Sequence, residues 1–154
     1  MPADKVSETS RVAGLVRHFE VLYREHMREL PIVNRRLQVE AVGFRKFQGH
    51  RLGVLITPWF MNLVLLPGTA KWREVQQGDT ATLEFLSGPV EFTVSHDEEI
   101  GNYLTAVLFR HVAELPDQPA ARRVAERLLA ERFQSPRNKH KISRRELLTG
   151  FPRR

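Results

Sequence analysis

The longest apolar stretch of this 154-residue chain runs from Val54 to Pro67, and only Thr57, Pro58 and Asn62 interrupt it. It is too short and too broken for the ~18 apolar residues a membrane span needs. The proline sets its shape. Proline lacks the amide that a sheet ladder uses, so Pro58 marks an edge, a bulge or a sharp corner between two strands. Gly53-Val54-Leu55-Ile56 leads into that corner, Met61-Asn62-Leu63-Val64-Leu65-Leu66 leads out, and Pro67-Gly68 signals the next turn. Directly after the corner stand Trp59, Phe60 and Met61, large side chains of the kind enriched at recognition surfaces. The plainer reading is that they plug one end of the core.

The segments around this stretch alternate between two periods. Val12, Leu15, Val16, Phe19, Leu22, Tyr23, Met27 and Leu30 recur at three- and four-residue steps, which predicts an amphipathic helix from about Thr9 to the stop at Pro31. Leu37 to Val42 alternates as a half-buried strand does, and 47–52 reads as a hairpin turn. Thr80–Phe85 and Val90–Val94, joined through Ser87-Gly88-Pro89, form a second hairpin. Tyr103–Phe109 fits helix or strand, and its β-branched and aromatic content favours strand. Pro119 to Phe133 reads as a second helix, with Pro119 in its first turn and a stripe of Val124, Leu128 and Leu129. The order helix, antiparallel strands, helix predicts an α+β domain of two layers, with both helices on one face of the sheet. Residues 11–134 form this single domain, after a disordered stretch at 1–10 and before a basic tail at 135–154.

Charge separates the tail from the domain. The chain holds 24 Lys and Arg against 18 Asp and Glu, yet residues 1–133 carry 17 of each. Residues 134–154 carry seven basic side chains against Glu146 alone, so the tail holds the whole formal charge of +6. A basic arm suits nucleic acid, with Trp59 or Phe60 stacking on bases, but a neutral domain lacks the interleaved basic and aromatic surface of such proteins. Docking on an acidic protein surface is the other use of such a tail. The polar N-terminus, MPADKVSETS, has no apolar signal core, so a cytoplasmic location is expected.

Motifs of chemistry are missing. The chain has no cysteine, which removes thiol nucleophiles, disulfides and thiolate metal sites. It has no glycine-rich phosphate loop, no GxSxG elbow and no HExxH helix. His18 and His26 are eight residues apart, a poor spacing for metal ligands on one helix. His96-Asp97-Glu98-Glu99 is the one local group with acid–base potential, in a segment that also reads as an ordinary charged turn. No catalytic residue, metal or cofactor is assigned.

Three stretches together resemble a known family: Ile56-Thr57-Pro58-Trp59 through Pro67-Gly68, Phe92-Thr93-Val94 through Tyr103-Leu104, and the ending Arg144-Arg145-Glu146-Leu147-Leu148-Thr149-Gly150. They are similar to the HybE-type [NiFe]-hydrogenase assembly chaperones. The resemblance implies a small, cytoplasmic, non-catalytic protein that binds immature hydrogenase subunits before the assembled enzyme leaves by the twin-arginine route. Some relatives carry a rubredoxin-like module that binds iron through four cysteines; with no cysteine here, that role belongs to a separate partner. For such a chaperone, client binding is expected at Thr57, Pro58, Trp59, Phe60 and Met61, with Asp97, Glu98 and Glu99 as an acidic rim for a basic signal peptide. In the tail, Arg144, Arg145, Leu147 and Leu148 are docking candidates. They either meet an acidic patch of the large subunit or occupy the client groove themselves. Lys141 to Leu148 looks like a twin-arginine signal but lacks the apolar stretch that such a signal needs.

Overall fold

The computed structural model describes the backbone of residues 2–68 and 76–135, with side chains from residue 11 onward. Helix α1 spans Pro2–Leu22 and continues into a π-helical turn at Tyr23–Met27. Six strands follow: β1 Glu40–Phe47, β2 His50–Thr57, β3 Phe60–Leu66, β4 Thr80–Phe85, β5 Gly88–Asp97 and β6 Gly101–Phe109. A 3-10 turn at Val112–Glu114 leads into α2, Gln118–Glu131. The sheet is antiparallel throughout, in the order β1-β2-β3-β6-β5-β4. Two three-stranded meanders therefore join where β3 pairs with β6. Among the described residues, no helix is long and apolar enough to cross a membrane.

The α+β class and the antiparallel sheet are as the sequence predicts, and Tyr103–Phe109 is strand. The layering is not. The two helices lie on opposite faces, giving helix, sheet and helix in three layers. Leu52, Val54, Ile56, Met61, Leu63 and Leu65 point into a core with Ala121, Ala125 and Leu129 of α2. Leu55, Val64, Leu66 and Tyr103 point the other way, against Leu15, Val12, Val16 and Phe19 of α1. Strands β2 and β3 are apolar on both faces, and two apolar faces need two covers. This explains why 54–66 lacks the alternation of a half-buried strand: it is buried on both sides.

Helix α1 also starts earlier than the expected Thr9, and residues 2–10, where disorder is expected, are helical. Pro2 suits a first turn, and neither Pro nor Gly intervenes before Gly14 to stop the helix. Glu8, Thr9 and Ser10 thus lie inside the helix. At the other end of the chain, Asp117 caps α2: its Oδ1 accepts from the Ala120 amide at 2.9 Å, with Pro119 in the first turn.

Two local devices hold the sheet in register. Phe47 pairs with His50 across a two-residue turn in which Gln48 and Gly49 have φ of 53° and 82°. Both residues are left-handed, as the twist of a tight hairpin demands. Gly53 lies under the ring of Phe44, where a Cβ would come within 2.3 Å of the ring. A side chain there has no room.

Candidate functional site

The corner between β2 and β3 is built by Thr57. Thr57 pairs with Phe60, leaving Pro58 and Trp59 as a two-residue turn. The buried Thr57 hydroxyl accepts from the Phe60 amide at 2.9 Å and the Trp59 amide at 3.2 Å, and donates to the Phe60 carbonyl at 3.3 Å. These bonds fasten the two amides that follow the proline. Pro58 is buried as well, and its carbonyl accepts from the Asn34 amide at 2.8 Å. Asn34 in turn donates from Nδ2 to the carbonyls of Val112 and Leu115, both at 2.9 Å. The loop before β1, the corner and the entry to α2 are thus fastened at one point.

Strand parity then sorts the five corner residues. Met61 is 0% exposed and packs in the α2-side core, and Thr57 is likewise 0% exposed. With Pro58 buried, none of these three offers a surface to a client. Trp59 and Phe60 remain half-buried on the α1 side. Phe60 meets Phe19 edge-on at 5.4 Å between ring centroids, and Trp59 meets Phe60 the same way at 5.6 Å. Trp59 also stacks on Tyr23 at 6.1 Å, with the planes 13° apart, and lies 6.3 Å from Phe19. Phe19 and Tyr23 are four residues apart, so one face of the helical segment carries both. Four half-buried rings therefore gather at this corner.

The segment from Arg28 to Arg36 follows the helical turn that carries Tyr23 and is tied to the corner by the Asn34–Pro58 bond. Arg35 Nη2 donates to the Arg28 carbonyl at 2.7 Å, and the Val33 amide donates to the Leu30 carbonyl at 3.2 Å. Within it Leu30 is 42% exposed and Ile32 62% exposed. Both are thus exposed aliphatic groups on a loop that Asn34 ties to the aromatic corner.

The acidic turn after β5 is placed differently from a rim. Asp97 Oδ2 accepts from the amides of Glu99 and Ile100 at 3.0 and 3.1 Å, closing the β5–β6 hairpin. Its Oδ1 is 2.8 Å from His18 Nδ1, and the carboxylate is only 11% exposed. Glu99 lies 3.6 Å from Arg17 Nη2. Both carboxylates are engaged with side chains of α1, His18 and Arg17, at the residues just before Phe19, and Glu98 is exposed. Asp97 also acts on Tyr103. Burial first, then the Asp97 charge, push the Tyr103 hydroxyl up to about 12, with a hydrogen bond to Ser95 acting the other way. His96 faces away from Asp97, as adjacent strand residues must, and its Nδ1 lies 2.8 Å from Asn102 Oδ1 at the surface. Among the described residues, no three His, Asp or Glu are grouped to hold a metal ion.

A second concavity lies on the part of the sheet that α1 leaves open. Asn62, Glu91, Thr93, Thr105, Val107 and Arg110 line a shallow cleft of about 370 Å³. Its floor is polar, with Asn62 Nδ2 donating to Thr105 Oγ1 at 3.0 Å. The tail candidates Arg144, Arg145, Leu147 and Leu148 lie outside the described residues.

Sequence reasoning missed Phe19 and Tyr23 as site residues, because an i, i+4 aromatic pair on a helix reads equally as core. Nothing near Asn34 in the sequence signals its role, since its partners are some eighty residues away.

The family model for [NiFe]-hydrogenase assembly chaperones of the HybE type matches residues 10–150. The chain belongs to this family. It is 40% identical over 96% of its length to "Hydrogenase expression/formation protein HupJ" of Bradyrhizobium diazoefficiens, covering 84% of that protein. It is 28% identical to "Hydrogenase-2 operon protein HybE" of Escherichia coli K12, over 66% of this chain and 63% of that one. A Rhodobacter capsulatus relative named "Probable rubredoxin HupJ" is 37% identical over 82% of this chain, which spans only 46% of that longer protein. The solution structure of HybE from Escherichia coli superposes with a TM-score of 0.66 at 23% identity, covering 80% of this chain and 76% of that one. That likeness confirms the α+β fold. A maturation chaperone role for this HybE-family chain follows from its family.

Proposed function

We propose that this HybE-family chain is a non-catalytic cytoplasmic chaperone that holds an immature [NiFe]-hydrogenase subunit during maturation, before twin-arginine export. The client is the signal-bearing small subunit, the large subunit, or both in turn. The contact is the β2–β3 corner, with Trp59 and Phe60 as the anchors and Phe19 and Tyr23 as their support. One observation carries this reading: four half-buried rings converge on a corner whose backbone is locked by Thr57 and Asn34. Rigid, partly exposed aromatic groups are the side chains that dominate protein interfaces. A chaperone needs no more chemistry than this, because it acts by binding the immature form better than the finished one.

The cysteine-free chain also fits a separate rubredoxin-like partner, since the longer Rhodobacter relative carries that word in its name. The basic tail, with Arg144, Arg145, Leu147 and Leu148, is a second docking element in this proposal.

The test is a pull-down from a cytosol producing a [NiFe]-hydrogenase, comparing wild type with Trp59→Ala. Recovery of a subunit precursor by wild type and its loss, by at least about tenfold, in the variant is the expected result. Undiminished recovery by Trp59→Ala would place the contact elsewhere. Recovery of nucleic acid alone, sensitive to nuclease and salt, would overturn the chaperone reading.

A further inference from the structure

The charge around the aromatic corner differs in sign from what a basic signal peptide needs. Arg24 and Arg28 follow Tyr23 directly on the π-helical turn and the residue that closes it, and Arg35 and Arg36 follow the Asn34 that bonds to Pro58. All four are exposed. No carboxylate among the described residues lies within ion-pair distance of any of them. Glu20, Glu25 and Glu29 are the acidic residues between Phe19 and Arg36, so arginine prevails over carboxylate there, four to three. The Asp97 turn cannot reverse the balance, because Asp97 and Glu99 already face His18 and Arg17.

We propose that the segment held at this corner is an apolar stretch interspersed with Asp or Glu, rather than the basic end of a signal peptide. The inference rests on the reading that the corner binds the client. Leu30, Ile32, Trp59 and Phe60 take the apolar side chains, and Arg24, Arg28, Arg35 and Arg36 take the carboxylates. Guanidinium is suited to this because it forms paired hydrogen bonds to carboxylate and is less strongly hydrated than ammonium. Beside aromatic and aliphatic surface the pairing is partly shielded from water, which strengthens it. A basic segment meets like charge at the same place. The exposed aliphatic pair favours a polypeptide over a nucleic acid, whose bases and phosphates make no use of Leu30 and Ile32.

The experiment compares two fluorescein-labelled peptides by anisotropy, using the full chain. They share the same Leu and Phe positions and differ only in carrying Glu or Lys between them. A single-stranded oligonucleotide is the third probe. The Glu peptide is expected to bind at least about tenfold more tightly than the Lys peptide at low salt, with the gap narrowing as salt rises. Arg28→Glu together with Arg35→Glu is expected to reverse that order, and Trp59→Ala to weaken both peptides. Equal affinities, a preference for Lys, or no binding of either peptide overturns the proposal, as does tighter binding of the oligonucleotide. The wild-type comparison needs no variant to fold. If the pull-down loses its precursor with Trp59→Ala while the peptides show no Glu preference, the charge inference fails and the client reading stands.

Discussion

The two faces of the sheet do different work. On the α2 side, Leu52, Val54, Ile56, Leu63, Phe92, Ala121, Ala125 and Leu129 are all but fully excluded from water. Phe47 of β1 and Phe85 of β4, from opposite edge strands, stack at 4.8 Å with Phe133 edge-on to both. On the other side, α1 packs over β1 and β2 and reaches both ends of β3, from Arg11 bonded to the Pro67 carbonyl to Tyr23 on Trp59. It covers that side of the sheet and leaves the face over β5 and β6 partly open. Half-buried rings stand at one end, and the threonine-lined cleft lies beside it. One face has been closed for stability, and the other is only partly closed, which leaves surface for binding.

Substitutions that separate these roles give the largest expected effects. Leu129→Ala empties a fully buried site on the α2 side and is expected to cost about 2–5 kcal/mol in denaturant unfolding. Trp59→Ala, at a half-buried position, is expected to cost less than half as much while removing client capture. If the two variants lose stability equally, the division between the faces is wrong. Gly53→Ala forces a Cβ into the Phe44 ring and is expected to lose about 1–3 kcal/mol, part of it recovered when Phe44→Leu is added.

The faces also predict opposite pH limits. On the α2 side, Glu40 receives hydrogen bonds from Arg122 Nε at 2.8 Å and from Gln118 Nε2 at 2.8 Å. Burial raises its pKa, but those bonds and the Arg122 charge outweigh burial and hold it below the usual carboxylate range. A carboxylate lowered in the fold contributes stability above its unfolded pKa. That contribution disappears as pH falls through the folded value, and Glu40→Gln should flatten this acid limb of a melting curve. On the α1 side, Tyr103 is raised from 10.0 to about 12. The unfolded chain therefore loses this proton first, and stability is expected to fall by up to about 2 kcal/mol as pH climbs from 10 towards 12. Tyr103→Phe should remove that alkaline loss and leave the acid limb untouched. The smallest effect belongs to neither face: Gln48→Asn suits the left-handed turn better and should add roughly 0.5 kcal/mol with client capture unchanged.

Local spacing is enough to read most of the elements. Period two and period 3.6 mark strands and helices, a proline inside an apolar run marks the corner, and Pro119 marks the start of α2. The start of α1 was less legible, because polar residues without Gly or Pro are as compatible with helix as with a loose terminus. Periodicity also names Trp59 and Phe60 as large groups after a turn, and no more than that. Their exposure was decided in three dimensions, where strand parity sends Met61 into the core and Phe60 to the α1 side. The same holds for the acidic turn: three carboxylates in a row read as a rim until His18 and Arg17 are brought against two of them. The layering is the deepest case. A continuous apolar run says that a strand is buried, and only the packing of β2 and β3 between two helices shows that it is buried on both faces. Periodicity is a property of a single segment, whereas burial, charge pairing and the sharing of a surface depend on segments far apart in the chain.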